Sequence, residues 1–566
     1  MSFKTSSPLP FSSELAKRPP IWGWLLLVLP IVGLILLPLV SILFMSLFPS
    51  ENIWPHLLNT ILPRSLRDTF LLMGGVGVLC LIIGTGTAWL VTMYDFRGRQ
   101  IFEWALMLPL AMPTYIMAYC AVDFLEYSGP LQTGLRTAFG WQDARDYWFP
   151  NIASLPGAII VMALVLYPYV YLAARASFMQ QSVCALEVAR TLGRTPYGAF
   201  LSVGLPLARP ALIAGLVLAL MECLNDYGAV VYFGVETLTA SVYSTWQERS
   251  NLGGAAQIAS LMLFIIIALL YVERRARSQQ KYFPTTGTTR RLPIVRLTRG
   301  QEALAILACA LPCLLGFLLP FFVLLQASYQ FIDFLWTDEF WRAAKFSLLL
   351  ASMTAVLAVM IALLLAYGKR VTAHPLLKPT TALAGTGYAI PGAILAIGVL
   401  IPLAWFDNVF HDWMQSLFGI STGLLLSGSI VALLFAYLVR FLAISLGTIE
   451  AGFHKISPNL DGAARTLGEN SLGAFHLVLL PMMRPHIAAA ALLVFVDTMK
   501  ELPATLLLRP FNFDSLATLV FEFASREEFE EAGLAGLTIV AFGLVPLLLL
   551  TRTLAGGRSG HSHQSD

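Results

Sequence analysis

Charged residues are scarce in this 566-residue chain. Asp, Glu, Lys and Arg make up 12% of it, whereas 57% of the residues are hydrophobic. Because a soluble domain usually has about 25% charged residues, the composition excludes an ordinary soluble protein and predicts a membrane protein. The formal net charge of +3 is too small to indicate a nucleic-acid-binding protein, and the basic residues cluster beside apolar runs, as topology signals do.

Cysteine is scarce as well, and two common chemical motifs are missing. The six cysteines include no C-x-x-C pair, so neither a zinc site nor a disulfide framework is indicated. The phosphate-binding motif G-x-x-x-x-G-K-[ST] is absent, and no catalytic constellation stands out. The chain is therefore expected to be no enzyme and to bind no cofactor itself, while a metal site stays undetermined.

Long apolar runs fill most of the sequence. A spanning helix needs about 20 mostly apolar residues, and about twelve such runs predict an all-α polytopic membrane protein. The first run is too long for the core of a signal peptide, so we expect an uncleaved span. The predicted spans lie near 21–46, 66–94, 101–124, 154–178, 208–233, 253–274, 302–327, 343–368, 380–405, 424–447, 485–508 and 532–554.

The twelve spans divide into two sets of six around a basic stretch. Lys- and Arg-rich loops fall on one side of the membrane if both termini are cytoplasmic. Six spans per half then give the two halves the same orientation, as parallel repeats. The expected parts are an N-terminal tail, a first half, a linker, a second half and a C-terminal tail, at 1–20, 21–275, 276–300, 301–555 and 556–566.

A polar loop occurs once in each half, 275 positions apart. We name these loops bracket one (186–214) and bracket two (461–489). The pentapeptide Ala-Arg-Thr-Leu-Gly stands at 189–193 and again at 464–468. Both copies interrupt long apolar runs, and the predicted topology places both on the cytoplasmic face. A matched pair of polar loops on one face indicates a shared contact.

Each bracket is predicted to be two short helices that lead into a span. Gly193 and Gly468 are expected to end the first helix in the left-handed conformation. Pro206 and Pro481 are expected to interrupt the second helix before the next span begins. Helix starts are expected at polar residues that cap or precede a first turn: Thr195-Pro196, Ser457-Pro458, and Asn470 or Ser471.

Each bracket also has an acid and a base on one helix face. Glu187 and Arg190 are three residues apart, and Asp461 and Arg465 are four apart. Such a surface pair contributes only about 0.2–0.5 kcal/mol to its helix, so a solvated pair is one interpretation. The duplication at matched positions favours the other interpretation, a docking surface.

The brackets resemble the cytoplasmic loop of ABC importer permeases. The pattern of that loop is E-A-A, then a glycine, then a hydrophobic residue followed by proline. Bracket one matches it with Glu187-Val188-Ala189, Gly193 and Leu205-Pro206. Bracket two matches it with Gly462-Ala463-Ala464, Gly468 and Leu480-Pro481. In that family the loop forms a coupling helix in a cleft of the ATPase. The resemblance implies ATPase-docking roles for Glu187, Ala189, Arg190, Gly193, Asp461, Gly462, Ala464, Arg465 and Gly468.

This resemblance implies a type I ABC importer permease fold in a bacterial inner membrane. It also implies two copies of an ATPase subunit, which hold ATP and Mg, and a periplasmic binding protein. Bracket two departs from the pattern, because Gly462 stands at the position of the family glutamate and Asp461 precedes it. The two docks are therefore not expected to make identical ionic contacts.

Two further stretches resemble the fused permeases of ferric-iron ABC importers. They are Leu-Asn-Asp-Tyr-Gly-Ala at 224–229 and Lys-Glu-Leu-Pro-Ala-Thr at 500–505. This implies import of Fe³⁺. Fused permeases for thiamine or aminoethylphosphonate share the double-bracket layout and are the alternatives. An ion-coupled secondary transporter is the alternative of a different class, although it has no reason to duplicate a docking loop.

Several polar residues lie within or at the ends of the predicted spans. By the shift of 275, Asp226 falls on Glu501. Because a charged residue at the centre of a membrane helix costs about 2.5–3.5 kcal/mol, these residues are expected to face the bundle interior or water. Either they line a translocation path or they pair structurally, as Lys500 could with Asp497. The candidate path residues are Glu222, Asn225, Asp226, Asp497 and Glu501.

Overall fold

The structure is a computed structural model that describes residues 21–49, 53–180, 191–278, 295–372, 377–457 and 459–556. Within these ranges the chain is almost entirely helical. The exception is a short parallel pair formed by β1 (Tyr94–Asp95) and β2 (Val295–Arg296). This pair joins the end of the predicted linker to a loop of the first half, and most of the linker and both predicted tails lie outside the described residues.

The first half is a succession of long helices joined by short helical turns. In chain order its helices are α1 (Ile21–Leu47), α2 (Trp54–Asn59), α3 (Leu62–Met93), α4 (Arg99–Ala105), α5 (Thr114–Leu125), α6 (Pro130–Phe139), α7 (Leu155–Gln180), α8 (Pro196–Ala199), α9 (Leu205–Asn225), α10 (Gly228–Tyr232), α11 (Leu238–Gln247) and α12 (Leu252–Ser278). A 3₁₀ turn (Leu108–Ala111) precedes α5, and a π turn (Phe200–Gly204) precedes α9.

The second half repeats this order. Its helices are α13 (Arg299–Cys313), α14 (Leu319–Gln330), α15 (Asp338–Thr372), α16 (Leu377–Ala384), α17 (Gly392–Phe418), α18 (Ile430–Lys455), α19 (Asn459–Thr466), α20 (Ser471–Ala474), α21 (Leu480–Met499), α22 (Pro503–Leu508), α23 (Leu516–Ser525) and α24 (Phe529–Gly556). Short turns of other helix types lie at Leu314–Leu318, Ile332–Trp336, Gly387–Ala389 and Phe475–Leu479.

The predicted all-α polytopic fold is confirmed. Among the described residues, eleven helices are long and apolar enough to cross a membrane, or up to twelve if one bent pair counts as a span. Large apolar side chains such as Leu26 and Phe264 are exposed on these helices, as expected for surfaces that face lipid. The chain is a multi-pass membrane protein.

One predicted span is not a straight helix. The segment expected at 101–124 bends by 94° between Ala111 and Thr114. Met112 and Pro113 have extended backbone there, because proline lacks a backbone donor and disfavours a helical residue before it. The sequence indicates the helix breakers, but the size of the bend was not predicted.

The sequence repeat is also a repeat of contacts. The backbone N–H of Leu238, the first residue of α11, donates to Thr69 Oγ1 at 3.0 Å. The N–H of Leu516, the first residue of α23, donates to Ser347 Oγ at 2.8 Å. Both contacts tie the start of a short helix to the long helix near the beginning of the same half. The two halves therefore share one internal plan.

The prediction that Pro206 and Pro481 interrupt the brackets is wrong. From Tyr197 to Asn225 and from Ser471 to Met499 the chain forms two continuous helical spans. A single π turn precedes each proline. Such a turn widens the hydrogen-bond ladder by one residue, which accommodates a proline without ending the helix. The second short helix of each bracket is thus part of the span itself.

The predicted single spans 208–233 and 485–508 are wrong at their distal ends. Helix α9 stops at Asn225 before α10, and α21 stops at Met499 before α22. The carboxylates that follow each stop cap the next helix. Asp226 accepts from Ala229 N at 2.8 Å, and Glu501 accepts from Ala504 N at 3.3 Å. The candidate path residues therefore lie where two helices break.

The 3₁₀ turn Gly387–Ala389 lies directly against the backbone of α18. A Cβ atom built on Gly387 would lie 1.8 Å from the carbonyl oxygen of Val439. No side chain fits between these two backbones, so the glycine fixes the position of the turn.

We expect Gly387→Ala to destabilise the protein by about 1–3 kcal/mol, the usual cost of overpacking a core. Thermal unfolding in detergent, followed by size-exclusion chromatography, measures the loss. Gly86→Ala is the matched control, since nothing lies within 4 Å of a Cβ there. Equal unfolding temperatures for the two variants would contradict the close approach.

Candidate functional site

A cavity of about 100 Å³ lies between the two halves where α9 and α21 end. Helices from both halves contribute to its wall, together with the break before α5. The structure brings all five candidate path residues to this one cavity: Glu222, Asn225, Asp226, Asp497 and Glu501. Their convergence was expected from the matched positions in the repeat. Their role in transport stays a prediction.

Sequence reasoning missed the central residue of this cavity, Arg440. Its NH1 lies 3.2 Å from Glu501 Oε1 and donates to Asn225 Oδ1 at 3.0 Å. Asn225 belongs to the first half, whereas Arg440 and Glu501 belong to the second. The guanidinium therefore joins the halves. A lone arginine within the apolar run 424–447 is itself a signal of a functional residue in a membrane helix.

Arg440 has no counterpart in the first half. Position 165, which is 275 residues earlier, is Val165, and it lines the same cavity. The repeat thus places an apolar side chain and a guanidinium at equivalent positions. The cavity is asymmetric in charge although it is built from two equivalent halves.

A close backbone approach completes this network. The N–H of Gly392, at the start of α17, donates to Asn225 Oδ1 at 2.7 Å. A Cβ on Gly392 would lie 2.4 Å from Glu501 Oε1, so only glycine fits there. The start of α17 therefore brings backbone to the cavity network, and Pro113, at the break before α5, contributes directly to the cavity wall.

The remaining carboxylates each have a partner. Asp226 accepts a short hydrogen bond from Thr114, the first residue of α5. Asp497 forms an ion pair with Lys500 at 2.8 Å, which is the structural pairing that the sequence suggested. Glu222 Oε1 accepts from Tyr388 OH at 2.7 Å. Each carboxylate is thus held by a partner of a different kind.

The cavity carries an excess of acidic groups. Among the described residues, four carboxylates and two cationic side chains line it. Glu501 Oε2 and Arg440 Nε are buried and have no hydrogen-bond partner in the described part of the chain. The described residues include no cluster of three His, Cys, Asp or Glu side chains able to hold a metal ion.

The brackets have the helix ends that the sequence predicts. Gly193 and Gly468 have φ values of +82° and +94°, in the left-handed region that favours glycine. Thr195 Oγ1 accepts from Gly198 N at 3.1 Å. Asn470, rather than Ser471, caps α20 and accepts from the backbone at 2.8 Å. Bracket two is therefore a helix, a turn and the start of a span, and the described part of bracket one shows the same turn and the same start of a span.

The predicted docking residues can be placed for bracket two and only partly for bracket one. Glu187, Ala189 and Arg190 lie outside the described residues. Asp461, Gly462, Ala464 and Arg465 all lie on α19. Gly462 is exposed and Ala464 is buried. A docking role for these residues stays a prediction.

Asp461 is held by an arginine from another helix. Arg370, near the end of α15, donates to Asp461 Oδ2 through Nε at 2.8 Å and to Oδ1 through NH2 at 3.2 Å. It also donates to the carbonyl oxygens of Phe453 and Ile456, at 2.9 and 3.2 Å. We name this set of contacts the Arg370 clamp. Sequence spacing alone suggested Arg465 as the partner of Asp461.

The Arg370 clamp belongs to the second half. The contact pair Trp89–Phe200 corresponds to Tyr367–Phe475, with a shift of 278 for the first ring and of 275 for the second. The shift of 278 places Thr92 at the position of Arg370. Thr92 donates to the carbonyl of Ala88 in its own helix at 2.6 Å. A threonine cannot make the bidentate contacts of an arginine.

Part of the chain matches a known protein family. Residues 80–277 match the sequence profile of the family described as the binding-protein-dependent transport system inner membrane component. Residues 80–277 thus form a domain of this permease family. The family is the inner-membrane component of a transporter, so these residues are similar to a transport component rather than to a catalytic one.

Curated relatives align with most of this chain or with part of it. The Fe(3+)-transport system permease protein FbpB 2 of Haemophilus influenzae is 26% identical over 548 residues, which is 95% of this chain and 99% of the relative. The ferric transport system permease protein FbpB of Actinobacillus pleuropneumoniae is 22% identical and covers 85% of this chain and 70% of the relative. The molybdenum transport system permease protein ModB of Escherichia coli is 27% identical over 34% of this chain and 82% of the relative.

We expect Arg440→Met to lower the free energy of unfolding by about 3–5 kcal/mol, because it leaves the buried Glu501 carboxylate without its partner. Adding Glu501→Gln should restore most of the loss. Arg64→Met is the control, since Arg64 and Glu236 form an exposed pair, which is worth about 0–1 kcal/mol. Chemical or thermal unfolding in detergent measures all of them. An equal loss in the Arg440 and Arg64 variants would show that the buried network is unimportant.

We expect Arg370→Ala to loosen bracket two. The variant removes hydrogen bonds to a charged donor, each worth about 1.5–3 kcal/mol, so backbone hydrogen exchange in α19 should become at least about tenfold faster. Thr92→Ala, at the equivalent position, should leave exchange in α8 unchanged. Hydrogen–deuterium exchange with mass spectrometry follows both segments. Unchanged exchange in α19 would mean that the clamp does not stabilise the bracket.

Proposed function

We propose that this chain is the permease subunit of an ATP-driven importer that moves Fe³⁺ delivered by a periplasmic binding protein. The observation that carries the proposal is the similarity to a named Fe(3+) permease along 95% of this chain. The similarity includes both halves, both brackets and the cavity between them. The excess of carboxylates around the cavity supports a cationic cargo.

Iron in this proposal is cargo and not a resident cofactor. Fe³⁺ is a hard cation, and oxygen donors such as carboxylates suit hard cations. Since the described residues hold no cluster of three metal-binding side chains, the ion would be attracted without being trapped. A transported ion must also leave, so weak contact along the path is an advantage.

The proposed motor is a separate ABC ATPase, with one copy docked at each bracket and ATP and Mg held on those chains. Each bracket continues without interruption into a span, α9 or α21. These spans end beside the cavity, at Asn225 and Met499. Movement of a bracket by the ATPase would therefore reach the cavity directly. Rigid-body movement of one repeat against the other then exposes the cavity to either side in turn.

The orientation and the alternatives follow from the same features. Both termini are proposed to be cytoplasmic, which places both brackets with the ATPase. Thiamine or aminoethylphosphonate remains an alternative cargo for this architecture. A cargo with negative charge alone is disfavoured by the acidic cavity, and the molybdenum permease relative aligns with only about a third of this chain. An ion-coupled secondary transporter would leave the duplicated bracket without a purpose.

The test is uptake by proteoliposomes that contain this chain, the ATPase and the binding protein loaded with ⁵⁵Fe³⁺. We expect accumulation that requires ATP and the binding protein. Asp226→Ala with Glu501→Ala should reduce uptake while the ATPase still co-purifies, because the variant removes two cavity carboxylates and leaves the brackets intact. Asp143→Ala with Glu339→Ala removes two exposed acids and is the control for charge.

Three outcomes would count against the proposal. Uptake without any ATPase would make the chain a secondary transporter. The cargo would be thiamine or aminoethylphosphonate, and not Fe³⁺, if binding proteins loaded with one of those compounds stimulated the ATPase and the Fe³⁺-loaded protein did not. Normal uptake by the double cavity variant would assign Asp226 and Glu501 to structure alone.

A further inference from the structure

A second cavity, of about 500 Å³, lies next to the central one. On α9 it is lined by Val217 and Met221, whereas Glu222 lines the central cavity. On α18 it is lined by Ala443 and Gly447, which follow Arg440. Both cavities thus extend between the same two helices, at successive levels.

The second cavity is the one nearer to the brackets. Helix α9 runs away from bracket one, so Met221 lies nearer to the bracket than Glu222. Helix α18 runs towards bracket two, so Gly447 lies nearer to the bracket than Arg440. The two helices agree although they run in opposite directions. A solute that leaves the central cavity towards the brackets would therefore enter the second cavity.

Tyr388 borders both cavities. It is the one described residue that lines both of them. It sits on the 3₁₀ turn between α16 and α17, and the contact of Gly387 with the Val439 carbonyl fixes that turn on α18. Its hydroxyl donates to Glu222 across the boundary between the halves at 2.7 Å. The phenol ring is therefore anchored on one half and hydrogen-bonded to the other.

The hydrogen bond between Tyr388 and Glu222 has no equivalent at the matching positions of the other half. The shift of 278 between the halves places Leu110 at the position of Tyr388, and a leucine side chain has no donor. The acid 275 positions after Glu222 is Asp497, and it pairs with Lys500 instead. A polar closure between the halves thus exists at Tyr388 and is not duplicated at Leu110.

We propose that Tyr388 is the gate between the central cavity and the bracket-side cavity, and that its hydrogen bond to Glu222 holds this gate closed. The gate opens when the halves separate and the phenol leaves the carboxylate. Glu222 thus has two roles: it lines the central cavity, and its hydrogen bond to Tyr388 keeps the gate closed. The inference rests on the proposed transport function, because a gate requires a path.

Cysteine accessibility tests the gate without any cargo. Leu166 lines the central cavity, and Gly447 lines the second cavity, with nothing within 4 Å of a Cβ. A membrane-impermeant maleimide is added from the bracket side to inside-out vesicles that contain Leu166→Cys or Gly447→Cys. The same chain without an introduced cysteine gives the background, since the described native cysteines are buried.

With Tyr388 present, we expect Leu166→Cys to react at least about tenfold more slowly than Gly447→Cys, which corresponds to a closed state favoured by about 1.4 kcal/mol or more. Tyr388→Ala and Glu222→Leu should remove most of that difference. Glu222→Gln should keep it, because the amide oxygen still accepts from the phenol. Leu110→Ala, which enlarges the central cavity at the equivalent position, should leave the rate unchanged.

Unchanged labelling of Leu166→Cys in the Tyr388→Ala variant would overturn the gate, provided that Gly447→Cys still reacts at its original rate and reports an intact fold. Fast labelling of Leu166→Cys with Tyr388 present would also overturn it. Since no cargo is used, failure of Fe³⁺ uptake with the expected labelling would reject the proposed cargo alone. Normal Fe³⁺ uptake, together with labelling of Leu166→Cys that Tyr388→Ala does not change, would reject the gate alone.

Discussion

The burial of one arginine among carboxylates is the constraint on which the centre of this permease depends. A guanidinium cannot be deprotonated in a protein, so Arg440 stays charged and must be compensated where it lies. Glu501 supplies the opposite charge and Asn225 supplies an oxygen from the other half. The two halves therefore have an electrostatic reason to remain together at the cavity, beyond the apolar packing of their helices.

The carboxylates also explain why helices break at the site. Where α10 and α22 begin, just after α9 and α21 end, the first backbone N–H groups have no partner within the helix, which is unfavourable in a membrane. Asp226 and Glu501 accept from the helices that follow, so each acid both compensates the break and presents charge to the cavity. The same side chains thus serve the fold and the candidate path. Asp226 and Glu501 therefore have a structural role and are candidates for a functional role at the same time.

Much of this could be predicted from the sequence, for physical reasons that also explain the failures. Apolar run length identified the spans, and the shift of 275 paired Asp226 with Glu501. Proline chemistry predicted a stop at Pro206, but a π turn accommodates the ring and the span continues. Arg440 was missed because the repeat directed attention to matched positions, and its match is Val165. Contacts between distant helices, such as Arg370 with Asp461, leave no local pattern to detect.

The presence of Val165 opposite Arg440 has a consequence for how such a pore can be assembled. A pore formed by two identical subunits would contain two guanidiniums or none, and two would face each other across about 100 Å³. Joining both halves in one polypeptide guarantees one of each kind in every assembly. Covalent fusion thus permits a single unpaired substitution at the symmetry axis, which a homodimer has no means to encode.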